Sequence, residues 1–93
     1  MSQHVLNLHH TVMDVRVRFF ATVRDAAGTA ECWLALGSGA RGVDAKTTLV
    51  VLHPRLAGLI EYARLAINHE YQAWETPLHD GDELALIPPV SGG

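Results

Sequence analysis

One stretch of the chain alternates hydrophobic and polar positions with a period of two, the spacing of a half-buried strand, and three further short apolar runs read as strands. In VRVRFFA, Val15, Val17 and Phe19 share one face, while Arg16, Arg18 and Phe20 share the other. The arginines mark that second face as wet, so Phe20 is expected on the outer side of a sheet. ECWLAL predicts a second strand with Cys32, Leu34 and Leu36 inward. ARLAIN predicts a third with Leu65 and Ile67 inward, and ELALI a last one with Leu84 and Leu86 inward and Ala85 and Ile87 outward.

Between these runs, RDAAGTA reads as a turn centred on Gly28 and GSGARG as a loop. From Val43 to Leu59 the period changes. Ala45, Leu49, Leu52 and Leu56 fall at helical spacing, with Asp44 or Thr47 placed to cap the start. The β-branched run TTLVV opposes a helix. The helix is expected to end near His53, because Pro54 restricts the residue before it, with PRLAGL as a further short helical turn. HEYQAWETPLHDGDE holds turn residues at both ends, room for a two-residue strand near Tyr71, and a tight turn at Asp80-Gly81-Asp82. The order is strand, strand, helix, strand, strand. It predicts an α+β domain in which a mixed sheet carries one main helix on one face. The opposite face then exposes Phe20 and Ile87, with Trp33 and Tyr71 as further candidates. A bare sheet face with several large apolar groups usually meets a partner; the alternative is a cover of leader or loop.

Composition narrows the classes. The 93 residues are one domain's worth, and the hydrophobic fraction of 48% is that of a folded globular chain. A formal net charge of −3, with seven scattered Lys and Arg, offers no footprint for nucleic acid. Cys32 is the one cysteine, so no internal disulfide forms. No apolar run approaches bilayer length and the start lacks a secretory pattern, which makes the cytoplasm the expected location. Residues 1–13 show no sustained period and read as a flexible N-terminal extension. Residues 14–93 read as the domain.

Three of the six histidines, His4, His9 and His10, lie in the extension. Histidines on a loose arm lack the fixed geometry of a metal site, so no metal is expected. Asp80, Asp82 and Glu83 are better explained as turn chemistry. His53, His69 and His79 have no nucleophile at a recognisable spacing, which argues against an independent hydrolase. A lone cysteine in an alternating strand reads as core rather than as a reactive sulfur.

The end of the chain is its most distinctive part. IPPVSGG runs from a strand through Pro88 and Pro89 to a bare Gly92-Gly93. Two prolines favour an extended path leading off the sheet. At about 3.3–3.6 Å per residue, residues 88–93 reach roughly 20 Å. Gly92 and Gly93 carry no side chains and can enter a narrow channel. A terminal carboxyl titrates near about 3.5, so it is ionised at neutral pH. Such an arm catalyses nothing by itself and is suited to another protein's active site.

VRVRFFATVRDAAG, ARLAINHEY and TPLHDGDELALIPPVSGG together resemble the small subunit of molybdopterin synthase, the MoaD-type sulfur carriers. The resemblance spans roughly residues 14–93 and is weakest between Leu36 and Val51. It implies the β-grasp, or ubiquitin-like, fold. It also implies that an ATP-dependent, MoeB-type adenylating enzyme activates the Gly93 carboxylate as an acyl-adenylate. A sulfurtransferase or cysteine desulfurase then supplies the sulfur of a thiocarboxylate. The charged tail enters a MoaE-type large subunit, where sulfur passes to cyclic pyranopterin monophosphate. On this reading the chain binds no cofactor and is a non-catalytic subunit; ATP belongs to the activating enzyme. Gly93 carries the sulfur and Gly92 precedes it. Phe20, Tyr71, Ile87, Pro88, Pro89 and Val90 match the partner-facing surface and tail, and Arg24 matches a basic position facing the adenylating enzyme. Two departures stand out: VDAKTTLVVL is poorer in leucine and alanine than the family's amphipathic helix, and the leader is not expected. Related carriers for thiamine, cysteine or tRNA thiolation, a ubiquitin-like protein modifier, and a β-grasp adaptor without tail chemistry stay open as alternatives.

Overall fold

The computed structural model describes residues 12–89. The leader histidines His4, His9 and His10 lie outside these residues, as do Val90, Gly92 and Gly93. Five strands form one mixed sheet in the order β2-β1-β5-β3-β4. They are β1 (Val12–Phe19), β2 (Glu31–Gly37), β3 (Arg64–Ile67), β4 (Glu70–Gln72) and β5 (Glu83–Ile87). Strand β1 pairs antiparallel with β2 and parallel with β5; β3 pairs antiparallel with β5 and β4. The first strand therefore begins at Val12, earlier than the alternation beginning at Val15 indicates.

Helices α1 (Ala21–Ala27), α2 (Gly42–Leu52) and α3 (Ala57–Ile60), with a 3₁₀ turn at Pro54–Leu56 before α3, complete the fold. Val15, Val17, Phe19, Leu34, Leu36, Leu65, Ile67, Leu84 and Leu86 from the strands meet Val23, Ala45, Leu49, Leu56 and Ile60 in one core. Every inward position expected from the alternation is buried, except Cys32, which is half-buried.

Two local expectations change. RDAAGTA is not a simple turn, because its first half belongs to α1 and only Gly28, at φ 77°, makes the left-handed exit. The helix has seven residues and buries only Val23, too little for a period to show. Its start carries no capping side chain: Phe20, in extended geometry, receives Val23 N–H and Arg24 N–H on its backbone oxygen. In α2 the apolar stripe is Gly42, Ala45 and Leu49, while Leu52 at the helix end is exposed and Leu56 fills the core instead. Asp44 does cap the start, its Oδ2 accepting from Arg41 N–H at 2.7 Å. Thr47 instead donates to the Val43 carbonyl at 3.1 Å. Thr48 does the same to Asp44 at 3.0 Å, so the β-branched run is accommodated by hydroxyls that bond back onto the preceding turn.

Candidate functional site

The sheet face away from the helices is built by register. Ala85 of β5 stands between Arg18 of β1 and Ala66 of β3, and Tyr71 of β4 lies beyond Ala66. Ile87 lies opposite Arg64, and Phe20 follows the last paired residue of β1. The small alanines form a floor and the larger groups a rim. The result is a recess of about 270 Å³ lined by Arg18, Phe20, Ala66, His69, Tyr71, Glu83, Ala85 and Ile87. Phe20 is 38% and Tyr71 56% exposed, large apolar surfaces that nothing in the described chain covers. The four outward candidates thus divide. Phe20, Tyr71 and Ile87 come together, whereas Trp33, opposite Arg16 on β2, stands on the same face outside the recess.

Charge surrounds this apolar floor. Arg16 donates to Glu31 through Nε at 2.8 Å, and Glu83 lies 3.9 Å from Arg16 and 3.5 Å from Arg18. The guanidinium of Arg18 sits 5.4 Å from the centre of the Phe20 ring, and that of Arg64 4.1 Å from Tyr71. Both are within reach of cation–π attraction. The sequence alone does not single out His69, Arg18 or Glu83 as site residues. The two-residue Asn68-His69 turn between β3 and β4 places His69 at the rim, with φ of 51° and 74° at the two positions.

Strand β5 ends at Ile87 beside the recess. Pro88 is half-buried and Pro89 exposed, so the chain leaves the sheet where its apolar rim begins. Arg24 sits one helical turn beyond Phe20, exposed on α1 and outside the recess. The Asp80 to Glu83 segment is turn chemistry: Asp80 Oδ1 accepts from Asp14 N–H at 2.8 Å. The buried Asp82 accepts from His79 N–H at 2.8 Å and Asn68 Nδ2 at 2.9 Å. Among the described residues no three His, Cys, Asp or Glu side chains group to hold a metal. Burial pushes the Cys32 thiol above its ordinary value of 9.0, which disfavours the nucleophilic thiolate.

The ThiS family pattern matches residues 17–93, from the middle of β1 to the last glycine. The chain belongs to the ThiS family. The molybdopterin synthase sulfur carrier subunit of Chlamydomonas reinhardtii is 39% identical over 83 residues, covering 87% of this chain and 100% of that protein. The crystal structure of small archaeal modifier protein 1 from Haloferax volcanii superposes with a TM-score of 0.80 at 31% identity, over 86% of this chain and 99% of the other. Subunit 1 in the complex of subunits 1 and 2 of molybdopterin-converting factor from Helicobacter pylori matches with a TM-score of 0.61 and 27% identity. That match covers 87% of this chain and 100% of the other. Strand order and these neighbours together make the fold a β-grasp, as the family resemblance implied. Among the described residues no helix is long and apolar enough to cross a membrane.

Proposed function

We propose that this ThiS family chain is the sulfur carrier subunit of a molybdopterin synthase, a delivery subunit rather than the catalyst. The observation that carries the reading is the apolar recess of Phe20, Tyr71 and Ile87 at the point where the tail leaves the sheet. A large subunit that seats on this face has the arm beginning at Pro88 directed into it, and the sulfur carrier relatives share nearly the full chain.

The chemistry follows from the carboxylate. An ionised carboxylate is a poor electrophile until one oxygen becomes a leaving group. An adenylating enzyme of the MoeB type uses ATP to form the Gly93 acyl-adenylate and releases pyrophosphate. Sulfur from the persulfide of a sulfurtransferase or cysteine desulfurase attacks the carbonyl. The C–O bond to AMP breaks as a C–S bond forms; a second thiol then attacks the donor's sulfur in the resulting acyl disulfide, so that the thiocarboxylate leaves and the donor is left as a disulfide. The large subunit, of the MoaE type, then uses that sulfur on cyclic pyranopterin monophosphate. Arg24, exposed beside Phe20, is assigned to the adenylating enzyme. Val90, Gly92 and Gly93 form the inserted arm. On this reading the chain itself holds no cofactor and works in the cytoplasm.

The test mixes the full chain, prepared with a Gly93 thiocarboxylate, with an active molybdopterin synthase large subunit and cyclic pyranopterin monophosphate. Dithiolene product that disappears on deleting Gly93 is the expected result. Absence of product, with a large subunit proven on its own carrier, overturns the reading. Isopeptide adducts of Gly93 on lysines of other proteins would then favour a modifier.

A further inference from the structure

The outer sheet face carries three arginines, Arg16, Arg18 and Arg64, and they are not equivalent. Arg16 is bonded to Glu31 and lies near Glu83, and Arg18 has Glu83 at 3.5 Å. Arg64 has no carboxylate within ion-pair distance among the described residues; its guanidinium rests on the Tyr71 ring at 4.1 Å. Glu31 and Glu83 therefore take up two of the three cations, and the one without a carboxylate among the described residues lies directly across the β3–β5 ladder from Ile87, at the root of the tail.

Stacking on Tyr71 has a second consequence. A guanidinium keeps its donors in its own plane and can bond outward while its face is covered. An arginine already held flat loses little further freedom when a partner arrives, so its charge is available at low entropic cost. Arg64 is thus pre-positioned for an acceptor outside the chain, next to a recess large enough for one apolar side chain.

We propose that Arg64, held by Tyr71, is a specificity-determining contact of the docking face. The sulfur-accepting large subunit presents a carboxylate side chain to it and an apolar side chain to the neighbouring recess. This rests on the sulfur carrier reading and adds the chemistry of the partner's surface. The apolar contact supplies adhesion, while the charge pair fixes orientation at the tail root and rejects partners that bring a cation there.

Calorimetric titration of the full chain into an active molybdopterin synthase large subunit, from low salt to about 0.5 M, tests the proposal. Arg64→Gln is expected to weaken binding about tenfold at low salt and to flatten its salt dependence. Tyr71→Leu keeps an apolar rim but removes the stack. It should weaken binding severalfold, and by less once Arg64→Gln is already present. Arg55→Gln, at the exposed 3₁₀ turn before α3, should bind as the parent does. Melting curves of all variants guard against misfolding. Parent-like affinity of Arg64→Gln at every salt, or full additivity with Tyr71→Leu, overturns the inference while leaving the sulfur carrier reading intact. Failure of the parent itself to bind an active large subunit removes both.

Discussion

Replacing Asp82 by alanine tests how the root of the tail is held. Asp82 is only 8% exposed and sits immediately before β5. It accepts from His79 N–H at 2.8 Å and from Asn68 Nδ2 at 2.9 Å, while Asn68 Oδ1 accepts Glu83 N–H at 3.0 Å. The two bonds of Asn68 tie the β3–β4 turn to the start of β5, and the His79 bond closes the turn that leads into it. Bonds to a charged acceptor are worth about 1.5–3 kcal/mol each, and a buried donor left unpaired costs about 1–3 kcal/mol. Asn68 is itself exposed, so water recovers part of its loss. About 3 kcal/mol is therefore expected for Asp82→Ala, and roughly half that for Asp82→Asn, which keeps one acceptor. For a domain of this size, about 3 kcal/mol lowers Tm by roughly 12–24 °C. Urea unfolding followed by circular dichroism should show a lower midpoint with an unchanged slope. A loss below about 1 kcal/mol for the alanine variant would mean that water replaces the carboxylate, and the idea of a staple would fail.

At Gly42 an added Cβ would lie 2.5 Å from the Trp74 carbonyl oxygen and 2.8 Å from Leu65 Cδ2. Gly42→Ala should therefore destabilise by about 1–3 kcal/mol in a denaturant titration, against the usual helical preference for alanine, and a stabilised variant would refute the close approach. His69 occupies φ 74° in the Asn68-His69 turn, where glycine is unstrained, so His69→Gly should raise stability by about 0.5–1 kcal/mol, measured as a higher thermal midpoint. The Cys32 thiol, raised by burial, should alkylate more slowly in the folded protein than in urea, its rate levelling off at a higher pH than in the unfolded chain. Because the folded value lies above the unfolded one, the associated stability is complete below pH 9.0 and is lost as pH rises through the folded value, which urea midpoints across alkaline pH would trace.

What the sequence reveals and what it hides divide along physical lines. In β1 and β5 the alternation is legible because each strand presents one uninterrupted dry face, and Arg16 and Arg18 label the wet side. Helix α1 is hidden because its first turn is held by the Phe20 carbonyl, which any residue could offer, and only Gly28 at its exit leaves a mark. The direction of α2 is blurred because Val43 and Val51 are exposed, so apolar residues occur on its wet side as well. Phe20, Tyr71 and Ile87 could each be assigned to the outer face singly. That they ring one recess depends on the ladders Ala66↔Ala85 and Ala66↔Tyr71, which join distant parts of the chain. The same register sets Arg64 beside Ile87 and over Tyr71, and nothing in its local sequence distinguishes that arginine from Arg55.

The position of β5 decides how the arm can work. It is bonded on one side to β1 and on the other to β3, and Leu84 and Leu86 are fully buried beneath it. Ile87 is held by its pairing with Arg64, and peeling one residue further, to Leu86, would break both ladders and open the core, so local release should stop at the root of the tail. Strand β4, by contrast, has three exposed residues and, among the described residues, one neighbour. Native-state hydrogen exchange should therefore give the β5 amides an opening free energy equal to that of global unfolding, with those of β4 exchanging through smaller openings. Equal protection of β4 and β5, or faster exchange in β5, would contradict a rigid root. A rigid root matters for delivery. The proposed docking residues sit at the ends of two strands locked together by the parallel β1–β5 ladder, Phe20 directly after β1 and Ile87 closing β5, so seating the recess on a partner also fixes the point from which the arm extends.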